Sequence, residues 1–401
     1  MSKILIPLLI IFLNASIIIF PGEALRAARE GLGLWLDNAL PALLPFAIGI
    51  NLLTALGFTR FLGVLLEPVM QPLFRVPGVG GFAVITGLMS GSPLGAKITA
   101  GMRADGLLTA GEARRLAGFT NNCGPLFIIG AVGAGLLGDP SAGYFLFAIH
   151  LTSALTVGFF FRFYGKNEGN NEPISKGTKT GLLTRATAEM QEARRSNEGM
   201  GFGGILGTGV ADAMETMVLI GGYIVLFAVI IGIIDALGIF GAAEAFFNLS
   251  CEISEIFNGA AAGLFEITAG VRDIAAGSGR LALAAAAGVI SWGGLCIHAQ
   301  SLGFIAKTDI GAFPYLLGKS LHAILAGLFA FFLYPAYTSL SDRAKPAALF
   351  APPQQTGAIA PAFNTFLSSA GLFIVSMAAL TVFALILYFL MRMARSAKKR
   401  A

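Results

Sequence analysis

Residues 87–102 read GLMSGSPLGAKITAGM, and the organisation of the whole chain turns on them. The flanks are apolar enough for lipid, yet the centre holds Ser90-Gly91-Ser92-Pro93, more glycine and Lys97. Glycine and proline weaken or break helices. A lysine at the centre of a lipid-embedded helix costs roughly 2.5–3.5 kcal/mol. A straight crossing therefore reads poorly, and a hairpin that enters and leaves on one side reads well.

The surrounding composition places this stretch in a membrane. The chain has 401 residues, 56% hydrophobic and only 12% charged, with a mean hydropathy of +0.78. Soluble domains carry about 25% charged residues. Runs of the length that crosses a bilayer as helix, about 20 residues, recur along the sequence. None shows the strand-type alternation of a barrel. The net charge of +5 falls mostly in loops and tail, which excludes a nucleic-acid partner. Cys123, Cys251 and Cys296 are too scattered for a disulfide framework or a metal site.

Eight segments read as full crossings: about 3–20, 33–57, 115–137, 141–163, 214–237, 281–306, 312–337 and 366–391. The first has no clear cleavage site after it and reads as a retained span. Two more segments, 78–102 and 255–276, are apolar but interrupted. Positive charge in the 164–200 loop and in the tail (Arg392, Arg395, Lys398, Lys399, Arg400) puts both in the cytoplasm. Parity then requires 78–102 and 255–276 to be re-entrant hairpins, with both termini cytoplasmic.

Two blocks emerge, each of one span, one hairpin and two spans. GLMSGSPLGAKITAG at 87–101 echoes GLFEITAGVRDIAAG at 263–277, and GFTNNCGPLFI at 118–128 echoes GVISWGGLCIH at 288–298. Three full crossings per block invert the second relative to the first, as in secondary transporters. The expected fold is an all-α polytopic membrane protein with two inverted-topology repeats, each holding a re-entrant hairpin and a broken helix. Its parts are a first span and external loop (1–32), repeat 1 (33–163), a cytoplasmic linker (164–200), repeat 2 (201–337), and an external loop, last span and basic tail (338–401).

Transporter sites of this kind lie near the midplane, where broken helices offer free backbone groups. Asn121-Asn122-Cys123-Gly124-Pro125 breaks one span, and the two amides offer donors and acceptors without charge. The matching place holds Ser291-Trp292-Gly293-Gly294, then His298 and Gln300. The hairpins add Ser90, Ser92, Lys97 and Thr99 from the first, and Glu266 and Thr268 from the second. Lys97 beside helix N-termini suits a carboxylate. An internal pair, Lys97–Asp273 or Arg272–Glu266, is the structural alternative. Gly318-Lys319-Ser320 resembles the end of a P-loop, but the earlier glycine it needs would be Phe313. No enzyme motif, cofactor or metal site is found.

SGSPLGAKI at 90–98, GEARRLAGFTNNCGPLFIIGAVG at 111–133, GLFEITAGV at 263–271 and Gly293–Gln300 with Tyr315 resemble the sporulation integral membrane protein YlbJ (SpoVV) family. That family sits among the Gate, or nucleoside-recognition, membrane proteins. The resemblance implies a carrier that moves dipicolinate across the outer forespore membrane. It also implies no thiol chemistry at Cys123, where the family commonly has Ser. The Gate label is shared by nucleoside carriers and ferrous-iron permeases, which leaves the substrate open. The readings are thus a carboxylate carrier, a nucleoside or other small-solute carrier on the same fold, and a non-transporting sporulation scaffold. The expected partners are an anionic small molecule and the lipid bilayer, with a homo-oligomer left open.

Overall fold

The computed structural model describes residues 2–165, 182–195, 199–239, 241–242 and 251–343. Among them the chain is entirely helical, with no strand. Four helices are long and apolar enough to cross a membrane: Pro140–Phe161 (α8), Phe202–Ala236 (α10), Gly279–Ile305 with its break, and Ala312–Ser339. Two sharply bent pairs, around Phe20 at 104° and around Gly57 at 84°, bring the count to six if each is one crossing. Eight full spans are not reached among the described residues. The span expected at 366–391, the 338–365 loop beyond Arg343 and most of the 164–200 linker lie outside them.

The first span is α1, Ser2–Ile19, and a second helix, α2, Pro21–Gly33, comes directly after it. Pro21 stands at the first helical position, where its missing N–H costs nothing. A π-helical stretch, Leu34–Ala39, leads into α3, Leu40–Ala55. Gly57 then takes a left-handed φ of 78° and turns the chain into α4, Phe58–Phe74. This helix was not expected from the sequence, and α9, Leu182–Arg195, covers its start: a Cβ at Gly57 would stand 2.5 Å from the Met190 carbonyl.

The two interrupted segments are each a helix, a break and a second helix. In the first, α5 (Gly80–Ser90) and α6 (Leu94–Ala104) approach where Gly87 and Gly95 meet. In the second, α11 (Cys251–Phe265) and α12 (Ile267–Ile274) run antiparallel. Gly263 lies against Gly270, Gly259 against Ile274, and Ile256 against Gly277, a register that folds back at Glu266.

The segment expected as a span at 115–137 is instead α7 (Ala110–Ala117), a non-helical break and a π-helix at Leu126–Leu136. That π-helix has 11 residues and is too short to cross alone, so a crossing here needs α7 and the break as well. The later helices are α13 (Gly279–Trp292), α14 (Gly294–Ile305) and α15 (Ala312–Arg343). At about 1.5 Å per residue, the 35 residues of α10 exceed the roughly 30 Å hydrocarbon core. Large apolar side chains such as Ile18, Phe160, Val218 and Phe332 remain exposed, as a lipid-facing surface requires.

Candidate functional site

The site is where the two helix breaks meet. The first break, residues 118–124, runs over the first hairpin: a Cβ at Gly87 or Gly95 would stand 1.8 or 2.0 Å from the Thr120 carbonyl oxygen. Only glycine at both positions lets that carbonyl lie there. The hairpin tip at Gly91 in turn rests against Gly124. The second break repeats the device in miniature. Gly293 and Gly294 take left-handed φ values of 91° and 75°, and Gly294 packs on Phe265 and Glu266 at the tip of the second hairpin.

Hydrogen bonds tie the breaks together. The Cys123 N–H donates to His150 Nε2 at 3.1 Å, and the Cys123 thiol donates to the Ile290 carbonyl at 3.4 Å. With Nε2 accepting, the neutral His150 ring carries its proton on Nδ1, which donates to Ser291 Oγ at 2.9 Å. From Asn121, Nδ2 donates to Ser301 Oγ at 2.9 Å and to the Tyr315 hydroxyl at 3.0 Å. That hydroxyl also lies 3.0 Å from His298 Nδ1. Lys319 Nζ donates to the Asn121 carbonyl at 3.0 Å, and His322 Nε2 lies 3.0 Å from the His150 carbonyl.

All of these side chains are buried, and three atoms among them have no partner: Asn121 Oδ1, Asn122 Oδ1 and His298 Nε2. Buried polar atoms are nearly always satisfied, so each exception calls for an account. Trp292 forms an aromatic wall beside them, its ring 4.2 Å from that of His298 and edge-on to it.

The other expected residues divide. Ser92 Oγ donates to the Asn122 carbonyl at 2.8 Å, and Asn122 Nδ2 donates to the Phe119 carbonyl, so both brace the first break. Ser90 is buried at the hairpin tip, and Thr99 lies 3.1 Å from Thr120 in the break. Lys97 does not reach the crossing. Two residues from Thr99 it points some 200° around the helix, and its Nζ donates to Thr216 of α10 at 2.6 Å, with Asp212 and Glu215 near.

Neither expected ion pair forms. Asp273 is half-buried and joins its exposed neighbour Arg272 at 3.1 Å. Both oxygens of Glu266 accept from the backbone amides of Thr268 and Ala269, so this carboxylate caps α12. Gln300 donates to Cys296 within its own helix. A groove of about 520 Å³ between α8 and α15 is lined mainly by apolar side chains, including Phe145, Phe329 and Leu333, and does not open onto the crossing. No group of residues able to hold a metal occurs among the described residues.

The sequence reading missed His150, Ser301 and His322, noted Tyr315 only within the family resemblance, and treated Lys319 only as a failed nucleotide motif. The available signal was position: ionisable side chains inside apolar spans mark function by default. Gly318 has its own explanation, since a Cβ there would stand 2.0 Å from the Gly118 carbonyl. It lets α15 touch the first break.

A family model described as nucleoside recognition (Gate) matches residues 36–163, which include the first hairpin and the first break. The sporulation integral membrane protein YlbJ of Bacillus subtilis (strain 168) is 35% identical over 356 residues, 85% of each chain. No solved structure matches. The residues that build the crossing thus belong to an integral membrane protein with a Gate domain, a member of the YlbJ family.

Proposed function

We propose that this chain is a secondary transporter whose cargo, a small carboxylate such as dipicolinate, binds where the two breaks cross. One observation carries the reading. Two asparagines, a tyrosine, a lysine and a histidine converge from both breaks and α15 within apolar helices, leaving three polar atoms open. Non-helical backbone is tolerated at membrane depth only if it is buried in protein or lines a wet path. Ser90, Ser92, Asn121, Asn122, Ser291 and His298 are the contact set, with Trp292 as the wall for an aromatic ring.

The architecture that goes with this reading is a pair of inverted repeats, 33–163 and 201–337, joined by a cytoplasmic linker. Both termini are cytoplasmic, and α5–α6 and α11–α12 are re-entrant hairpins, the first opening to the cytoplasm and the second outward. The relative's name places it in sporulation, which makes the outer forespore membrane the natural location. A pure scaffold has no use for polar groups held open inside apolar helices.

A second reading has its own support. Asn121 Oδ1 and Asn122 Oδ1 are acceptors, and a nucleobase offers the N–H donors that a carboxylate lacks. Uptake into proteoliposomes, dipicolinate against nucleosides, separates the two. Asn122→Ala should cut uptake of the true cargo at least tenfold, while Lys97→Ala leaves it near wild type. Uptake of neither solute by folded protein rejects both readings. Labelling of Pro77→Cys and Ala104→Cys tests the first hairpin, and reaction from opposite sides of the membrane refutes re-entrance.

A further inference from the structure

Lys319 is buried, and Gly318 presses its helix onto the first break, so Nζ reaches the Asn121 carbonyl. Among the described residues no carboxylate forms an ion pair with it. Around it, the first break presents Cys123 and the Asn121 amide, and α8 presents His150. From α14 comes His298, and from α15 itself come Tyr315 and His322. Glu266, on the second hairpin, faces Cys123 and Cys296, and both its oxygens are held by backbone amides. Among the described residues, none that faces Lys319 supplies a counter-charge. Buried charges are paired or are given up.

Lys97 differs in this respect. Asp212 and Glu215 stand near it, so its charge can be balanced inside the protein. His150 is also unsuited to gain a proton, because protonation would remove the acceptor that the Cys123 N–H uses.

We propose that Lys319 couples transport to protons, being a neutral amine in the empty carrier and an ammonium when an anion occupies the crossing. The amine lone pair takes a proton from water on the side where cargo enters. The proton is returned to water on the side where cargo leaves. One positive charge thus crosses with each cargo molecule, offsetting part of the charge on a dicarboxylate. The inference rests on the anion reading above.

The test uses purified full-length protein, dipicolinate and a pH-indicator dye in weak buffer. Dipicolinate stays ionised at neutral and mildly alkaline pH, so any proton taken up goes to the protein. Proton uptake on binding should grow with pH to about one per molecule once the free amine dominates, and from there Kd should rise about tenfold per pH unit. Lys319→Arg carries a permanent charge and should bind without proton uptake, and Lys319→Gln should lose uptake with most of its binding. Wild-type binding with no proton uptake overturns the coupling and leaves the carboxylate carrier standing. Undiminished uptake in both variants assigns the proton elsewhere and overturns the proposal. If folded wild-type protein binds no dipicolinate, the anion reading falls and the coupling falls with it.

Discussion

The two breaks reach the same place by different means. The first is seven residues of open backbone, and its carbonyls at Phe119, Asn121 and Asn122 each accept a side-chain hydrogen bond. The second is a pair of left-handed glycines inside an otherwise continuous span, and its contribution is side chains: Ser291, Trp292 and His298. The hairpins differ in parallel. The first spends its tip hydroxyl, Ser92, on the Asn122 carbonyl of the break, whereas the second closes its tip with Glu266 as a helix cap. The crossing is therefore lopsided, with backbone acceptors on one side and an aromatic, titratable wall on the other.

That asymmetry is tested most harshly at the glycines. A Cβ at Gly87 meets the Thr120 carbonyl at 1.8 Å, which cannot retreat without dismantling the first break. At Gly263 the Cβ meets the side chain of Val289 at 2.5 Å, which can turn or shift. Gly87→Ala should cost about 3 kcal/mol or more, and Gly263→Ala about 1–2 kcal/mol. Thermal unfolding in detergent measures both. Equal losses would mean that the second break is as rigid as the first.

The next effect in size concerns the links between the breaks. Tyr315→Phe strips a partner from both Asn121 Nδ2 and His298 Nδ1, whereas Ser291→Ala strips one from His150 alone. Leaving buried groups unpaired costs about 1–3 kcal/mol. Tyr315→Phe should fall at the upper end and also abolish cargo binding, with Ser291→Ala milder on both counts. Ser291→Ala proving the more damaging would move the centre of the site to the second block.

The places where the chain breaks were legible because glycine and proline write them into the sequence. Gly91-Ser92-Pro93, Gly124-Pro125 and Gly293-Gly294 all mark real interruptions. What lies between breaks was harder to read. The α4 helix was hidden by Pro68 and Pro72, with Arg60, Glu67 and Gln71 diluting its apolar pattern. Tyr315, Lys319, His150 and His322 sit on unbroken helices, where only packing decides which face meets the site. The same ignorance of facing put Lys97 at the crossing when it turns towards Thr216. Glu266 was recognised as special, but cap and ligand share one sequence signature.

Glu266 can be asked directly which it is. As a cap alone, Glu266→Ala should cost about 1 kcal/mol and Glu266→Ser, itself a good N-cap, should recover most of that. Cargo binding should follow stability in both. A stable Glu266→Ser protein that no longer binds would return the carboxylate to the site and make the second block less one-sided.

The smallest effect lies outside the membrane, where the end of α6 meets the turn before α15. Arg103 holds Asp309 through two hydrogen bonds of 2.7 Å, and both side chains are partly exposed. The guanidinium keeps the Asp309 carboxyl below its ordinary value of 3.8. A carboxyl depressed in the folded state stabilises above its unfolded pKa, and that contribution is lost as pH falls through the folded value. The pair should therefore matter at neutral pH and fade in acid below the ordinary carboxylate range. Solvent screening limits Asp309→Asn to about 0.5 kcal/mol, and less in high salt. Arg114 still grips the Asp309 and Ile310 carbonyls in that variant, so the turn keeps its shape. Melting temperatures of wild type and Asp309→Asn should differ slightly near neutrality and converge in acid. A large gap at neutrality that closes in acid would mean that this outer clamp, rather than the buried network, holds the two blocks together, and one that persists in acid would mean that the ion pair is not its source.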